Sequence, residues 1–289
     1  ALRNMLIAAA PAADVDYRVS RKMYSPAELR RALDQGELVN YYQPKVTLSD
    51  GIPIEAECLV RWQHPTDGMV YPDQFITVAE EHGLIDDLTL QVLTGALEQS
   101  ARWREAGLAL RVAVNVSMEN LHALDFPEKV MAALASADVA AESLILEVTE
   151  SRLMQDPVAV LDILTRLRLR RVRLSIDDFG TGHSSLAQLR DLPFDELKID
   201  RSFVHGAHSN PHKRAILKAS IDMGRQLGMQ TIAEGVEELE DWKVLKALGC
   251  DLAQGYFCGR PMPGQAIPRW VTDWRKRYLE IERADMLLS

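Results

Sequence analysis

Cysteine is scarce in this 289-residue chain: Cys58, Cys250 and Cys258 form no CxxC pair, and their number is odd. That argues against a disulfide framework and a thiolate zinc site, and a reducing, cytoplasmic setting is expected. The seven histidines show neither HExxH nor HxH spacing, which argues against zinc held by histidine. No apolar run approaches the ~18 residues that a membrane-spanning helix needs. An excess of positive charge is missing too. Lys and Arg total 33 against 42 Asp and Glu, a formal net charge of −9, so the chain is a poor clamp for duplex nucleic acid. Any phosphate that binds here requires the chain's own acids to be neutralised first. Low-complexity stretches and sequence repeats are also lacking.

What is present is a globular composition, 47% hydrophobic and 26% charged, able to bury a sizeable core. The length fits one large domain or two small ones. The Ala-rich segment from Met5 to Ala13 has the character of a signal-peptide apolar region, but the chain starts at Ala1. Residues 1–24 are therefore read as a connector from an upstream domain, and 25–289 as the folded unit. Ser25, Pro26 and Glu28 make a capping box with proline at the first helical position, and Gly36 stops that helix.

From there β-rich apolar runs alternate with amphipathic stretches. Strands are expected at Leu38–Gln43, Glu55–Trp62, Ala109–Val116, Leu144–Val148, Val172–Asp177, Glu196–Ile199, Gln230–Glu234 and Ala253–Phe257. Helices are expected at Pro72–His82, Asp86–Ala106, Pro127–Ala135, Pro157–Arg168, Pro211–Leu227 and Glu238–Leu248, and from Ile267 onward. Eight strands alternating with helices predict an α/β fold of the (β/α)8 TIM-barrel type; a doubly wound open sheet is the alternative.

Polar groups sit where those strands end: Asn115, Glu147, Asp177 with Asp178, Lys198, Glu234 and Gln254. They recur about once per strand–helix unit, so a barrel gathers them, with Glu57, at one mouth. Five carboxylates in one cleft repel each other and resist desolvation. All-oxygen ligands with hard divalent cations such as Mg²⁺ or Mn²⁺ resolve this. The adjacent Asp177 and Asp178 suggest two ions sharing one carboxylate, the arrangement that supports in-line displacement at phosphorus. Lys198 is the cation among these acids, placed to orient a water or to stabilise transition-state charge.

Eight motifs in order resemble the EAL-domain family of cyclic di-GMP phosphodiesterases. They are Tyr42-Gln43-Pro44, Glu57 to Trp62, Asn115-Val116-Ser117, Glu147 to Glu150, Asp177 to Gly182, Leu197 to Asp200, Ala233 to Glu237, and Gln254-Gly255-Tyr256. The resemblance spans about Ser25 to Pro263. It implies a modified TIM barrel, two Mg²⁺ or Mn²⁺ ions, hydrolysis of cyclic di-GMP to linear pGpG and a homodimer, while the upstream domain expected from residues 1–24 is of a sensory or receiver type. By motif position it implies Glu57, Asn115, Glu147 and Asp177 as ligands of a first metal, and Asp177 with Asp178 for the second. Lys198 matches the catalytic lysine, with Glu57 and Glu234 in catalytic support. Gln43, Leu59, Arg61 and Gln254 match substrate positions, Arg61 pairing a phosphate. Glu150, Phe179, Gly180, Thr181 and Gly182 match the loop that couples metal binding to dimerisation. One residue departs: Cys58 stands where alanine is typical, on the strand face opposite Glu57.

Each residue also has an ordinary reading. Asn115 can cap a helix, Lys198 can pair with Asp200 at the surface, Glu234 can be a solvated loop acid, and Arg61 can pack on Trp62. The run Arg166 to Arg173 reads as a solvated face, and Trp270 and Trp274 as packing for the last helix. The functional alternatives are a receptor that binds cyclic di-GMP without cleaving it, and an enolase-type barrel using Lys198 on a carbon acid.

Overall fold

A computed structural model describes residues 22–150, 157–180 and 192–286. The connector region before Lys22, and Thr181 and Gly182 of the glycine loop, lie outside the described residues. Helix α1, Pro26–Gln35, opens on the expected box: the Glu28 amide donates to Ser25 Oγ at 3.2 Å, and the Ser25 amide donates to Glu28 Oε2 at 2.8 Å. It closes on Gly36 in the left-handed region.

The strands are β1 Leu38–Thr47, β2 Pro53–His64, β3 Gly68–Val70, β4 Arg111–Asn115, β5 Leu144–Thr149, β6 Arg173–Phe179, β7 Glu196–Ile199, β8 Gln230–Ala233, β9 Leu252–Gln254 and β10 Met262–Pro263. Eight of them close a ring in the order β1-β2-β4-β5-β6-β7-β8-β9, and β9 pairs back onto β1. Seven are mutually parallel, and β1 runs antiparallel to both neighbours. The short link explains this exception to a repeating strand–helix unit. Residues 48–52 are too few for a parallel crossover, which takes a dozen or more, so β1 and β2 form a hairpin. Gly51 at its turn has φ +68° and no room for a Cβ, which would lie 2.4 Å from the Tyr278 ring.

Helices cover the outside: α2 Ile76–Glu81, α3 Ile85–Glu105, α4 Met118–His122, α5 Phe126–Ser136, α6 Pro157–Leu169, α7 Arg201–Val204, α8 Pro211–Gln226, α9 Leu239–Leu248 and α10 Ile267–Met286. The expected Pro72–His82 helix is split, with a 3-10 turn over Pro72–Gln74 before α2. Strand alternation sorts the side chains. Ala56, Cys58, Val60, Val112, Val114, Leu144, Leu146, Leu174, Ile176 and Leu197 pack outward into the helix layer. At ~1.5–3 kcal/mol for each large buried aliphatic side chain, that layer carries much of the stability. The opposite face of the same strands points into the barrel, and there charged residues such as Lys45, Glu57, Glu147 and Lys198 stand among apolar ones such as Leu59, Ile145 and Ile232.

Trp274 is buried on α10 and donates to Gly51 O at 2.8 Å, stacking on Trp270 with centroids 6.0 Å apart. The arginine run is fully engaged: Arg166 and Arg170 on Glu128, Arg168 on Asp195, Arg171 on Glu142, Arg173 on Glu196. No described helix is long and apolar enough to cross a membrane.

A carboxylate ring at the barrel mouth

Lys198 is buried on β7, and four acids from four other strands or strand ends converge on its ammonium. Nζ lies 2.8 Å from Glu234 Oε1, 2.9 Å from Glu147 Oε2, 3.0 Å from Asp177 Oδ1 and 3.6 Å from Glu57 Oε2. The ring register sets this up: Asn115 is level with Glu147, and Glu57 with both Ala113 and Gln43. Asn115 donates to Glu57 Oε1 at 2.9 Å. Gln254 donates through Nε2 to Glu57 Oε2 at 2.5 Å and to Gln43 Oε1 at 3.2 Å, and Gln43 donates to Gly259 O at 3.0 Å. Leu59 shares the inward face of β2 with Glu57 and Arg61 and is buried.

Asp177 and Asp178 pose a geometric problem, because adjacent residues on a regular strand point to opposite faces. The strand is not regular there. The pairing of β6 with β7 shifts register between Ile176 and Phe179, and Asp178 adopts φ 55°. Asp tolerates the left-handed region better than most residues, and bulges re-aim side chains beside sites. In consequence Asp177, Asp178 and Glu234 each bring a carboxylate oxygen to within 4.8 Å of the others. The Asp178 amide donates to Asp177 Oδ1 at 2.9 Å, and the next turn is held by Glu150, whose Oε2 accepts from the Gly180 amide at 2.8 Å.

Burial pushes Asp178 up to about 8, with the Asp177 charge adding to it. Burial also raises Glu57 and, strongly, Glu234. Glu147 goes the other way. Burial pushes it up, but the Lys198 and Lys45 ammonium groups outweigh that and hold it at about 2. Burial works against the charge on Lys198, yet Asp177, Glu147 and Glu234 raise its pKa well above the ordinary lysine value. The ring is thus short of positive charge.

The donor set fits a hard cation. It is all oxygen, its carboxylates already crowd around one ammonium, and Gln254 Oε1 is buried without a hydrogen-bond partner. Arg61 lies above on β2, buried, its guanidinium 5.1 Å from the Tyr71 ring centroid and 5.9 Å from that of Tyr41.

Several ordinary readings fail on this geometry. Ser117, not Asn115, caps α4. Lys198 is enclosed among acids and forms no surface pair. Trp62 faces away from Arg61, donating to Glu37 at 2.8 Å. Cys58 is buried in the outer layer, where burial pushes its thiol far up. Sequence reading missed Lys45 and the tyrosines around Arg61. The expected first strand stopped at Gln43, whereas β1 continues to Thr47 and carries Lys45 on the same face as Gln43.

The EAL domain model matches residues 27–261 of the chain. This chain belongs to the EAL-domain family. Among its relatives, cyclic di-GMP phosphodiesterase NbdA of Pseudomonas aeruginosa is 42% identical over 259 residues, 89% of this chain and 33% of that protein. Cyclic di-GMP phosphodiesterase RocR of the same organism is 38% identical over 241 residues, 83% of this chain and 62% of that protein. The chain therefore spans between about a third and three fifths of the length of these two EAL proteins. A solved structure of the PaMucR phosphodiesterase in complex with c-di-GMP is 42% identical, with a TM-score of 0.80, covering 83% of this chain and 98% of that one.

Proposed function

We propose that this EAL domain is a metal-dependent phosphodiesterase that hydrolyses cyclic di-GMP to linear pGpG. The observation that carries the reading is the convergence of Glu57, Glu147, Asp177 and Glu234 on Lys198, with Asp178 turned back beside Asp177 and Glu234. Glu57, Asn115, Glu147 and Asp177 are the side chains to hold one divalent cation, and Asp177 and Asp178, with Glu234 beside them, to hold a second, Mg²⁺ or Mn²⁺. When bound, such a pair neutralises the phosphate and acidifies a water for attack.

The chain's own groups do the rest. The Lys198 ammonium, positioned within 3.0 Å of three carboxylates, holds a proton at the point where water and phosphate meet and stabilises the charge that builds there. Arg61 offers a guanidinium to a phosphate oxygen, pre-set by its two tyrosines. Gln43, Leu59 and Gln254 line the way in and fix the substrate relative to Glu57. The Glu150–Gly180 bond ties the metal-bearing turn of β6 to the end of β5, the place where a partner copy or an upstream sensory domain would act on the site.

The test is purified protein with cyclic di-GMP and Mg²⁺, followed for pGpG. Asp177→Asn removes turnover on this reading. Tight binding without turnover would instead make the chain a receptor.

A further inference from the structure

Beneath the carboxylate ring lies a second buried ammonium. Lys45 stands on β1 two residues from Gln43, on the same face, with its side chain wholly enclosed. Its Nζ donates to Glu147 Oε1 at 2.6 Å, while the other oxygen of that carboxylate, Oε2, takes Lys198 at 2.9 Å. One carboxylate is thus held at each oxygen by a different lysine. Lys198 is divided among four acids. Lys45 touches no other acid of the ring.

Its second neighbour does not account for it. Glu55 Oε2 is 3.5 Å from Lys45 Nζ and makes no hydrogen bond, and Glu55 Oε1 is already satisfied by Arg111 at 2.5 and 3.0 Å. Burying an ammonium costs several kcal/mol unless a well-placed partner repays it, and the well-placed partner here is Glu147.

We propose that Lys45 is a positioning residue that pins Glu147 by Oε1 and leaves Oε2 facing the mouth as a single-oxygen ligand for a divalent cation. This rests on the two-cation reading of the mouth. Side chains that hold a metal's ligand in place change metal affinity about 10–100-fold when removed.

The experiment is calorimetric titration of Mn²⁺ into substrate-free protein, comparing wild type, Lys45→Met, and Lys45→Met combined with Glu55→Gln, which removes the buried negative charge 3.5 Å from the lost ammonium. The expected result is a cooperatively melting double variant that binds Mn²⁺ about tenfold or more weakly. Affinity within about twofold of wild type, in the single or the double variant, overturns the proposal, because Lys45 would then serve packing or Glu55 alone. A crystal structure of the wild type with Mn²⁺ tests the same point should the variants not fold. Lys45 remaining on Oε1 while Oε2 ligates supports it, and Glu147 chelating through both oxygens overturns it. A wild-type chain that takes up no Mn²⁺ contradicts the two-cation reading itself and is seen before any variant is compared.

Discussion

Four acids converge on the Lys198 ammonium, and only Glu147 keeps a second one, Lys45, when it is removed. Without metal, Lys198→Ala leaves buried carboxylates uncompensated, and breaking a buried pair in this way costs ~3–5 kcal/mol. Chemical denaturation in EDTA should show a loss of that order, and turnover should fall at least ~100-fold. An unchanged metal-free stability would mean that the acids discharge by protonation instead. Cys58 is the opposite case. It replaces alanine in the signature tripeptide, but its side chain lies in the outer layer with Tyr42 and Val60. Cys58→Ala should leave the rate within about twofold and cost roughly 1 kcal/mol or less for the small volume removed; a rate change of tenfold would show that the thiol reaches the site. Residue identity alone gave the ring's membership, because the acids other than Glu57 fall at or near strand ends and Glu57 opens the signature tripeptide. It did not give Lys45, whose importance depends on depth within the barrel, a quantity no short motif contains.

At the scale of elements, β6 is the decisive piece. Its register slip and the left-handed Asp178 put two consecutive acids on one side of the sheet. Glu150 locks the following turn through the Gly180 amide, and Gly180, at φ +97°, has the Phe203 ring 2.7 Å from where a Cβ would stand. Glu150→Ala frees that amide, and the expected outcome is a fall in kcat and in Mn²⁺ affinity with the fold intact by circular dichroism. Unchanged kinetics would show that the turn holds itself. The eight ring strands and most helices were legible from apolar periodicity and from caps such as Ser25-Pro26-Ala27-Glu28, although the last ring strand is Leu252–Gln254 and not Ala253–Phe257, and the short β3 and β10 were not expected. The antiparallel entry of β1 was not drawn from the eight-strand count, because the expected strands left residues 44–54 between them, whereas in the structure the link is only residues 48–52. The bulge at Asp177–Asp178 was not legible either, since a bulge is a matter of pairing between strands distant in sequence. The adjacent acids hinted at two ions without showing how both could face them.

For the molecule as a whole, the ring makes stability depend on pH and on metal together. The folded-state pKa of Asp178, about 8, lies above the ordinary carboxylate value, because of burial and then Asp177. Its contribution as a neutral acid is complete below about pH 4 and is lost as pH rises through about 8. Glu57 and Glu234 shift in the same direction. Glu147, held at about 2, loses its contribution only in strong acid and is constant across the neutral range. The metal-free protein should therefore melt at a lower temperature at pH 8.5 than at pH 6, and Mn²⁺ should raise the melting temperature more at the higher pH. Equal metal effects at both pH values would contradict the picture of an under-neutralised mouth. Hydrolysis itself is followed in a time course of cyclic di-GMP with the purified chain, resolved by chromatography, with Mg²⁺ and then with EDTA in excess. The expected result is steady formation of linear pGpG that stops on chelation and is missing in Asp177→Asn. Turnover that continues at the same rate in EDTA, or saturable binding of the cyclic dinucleotide with no product in Mg²⁺, would contradict it.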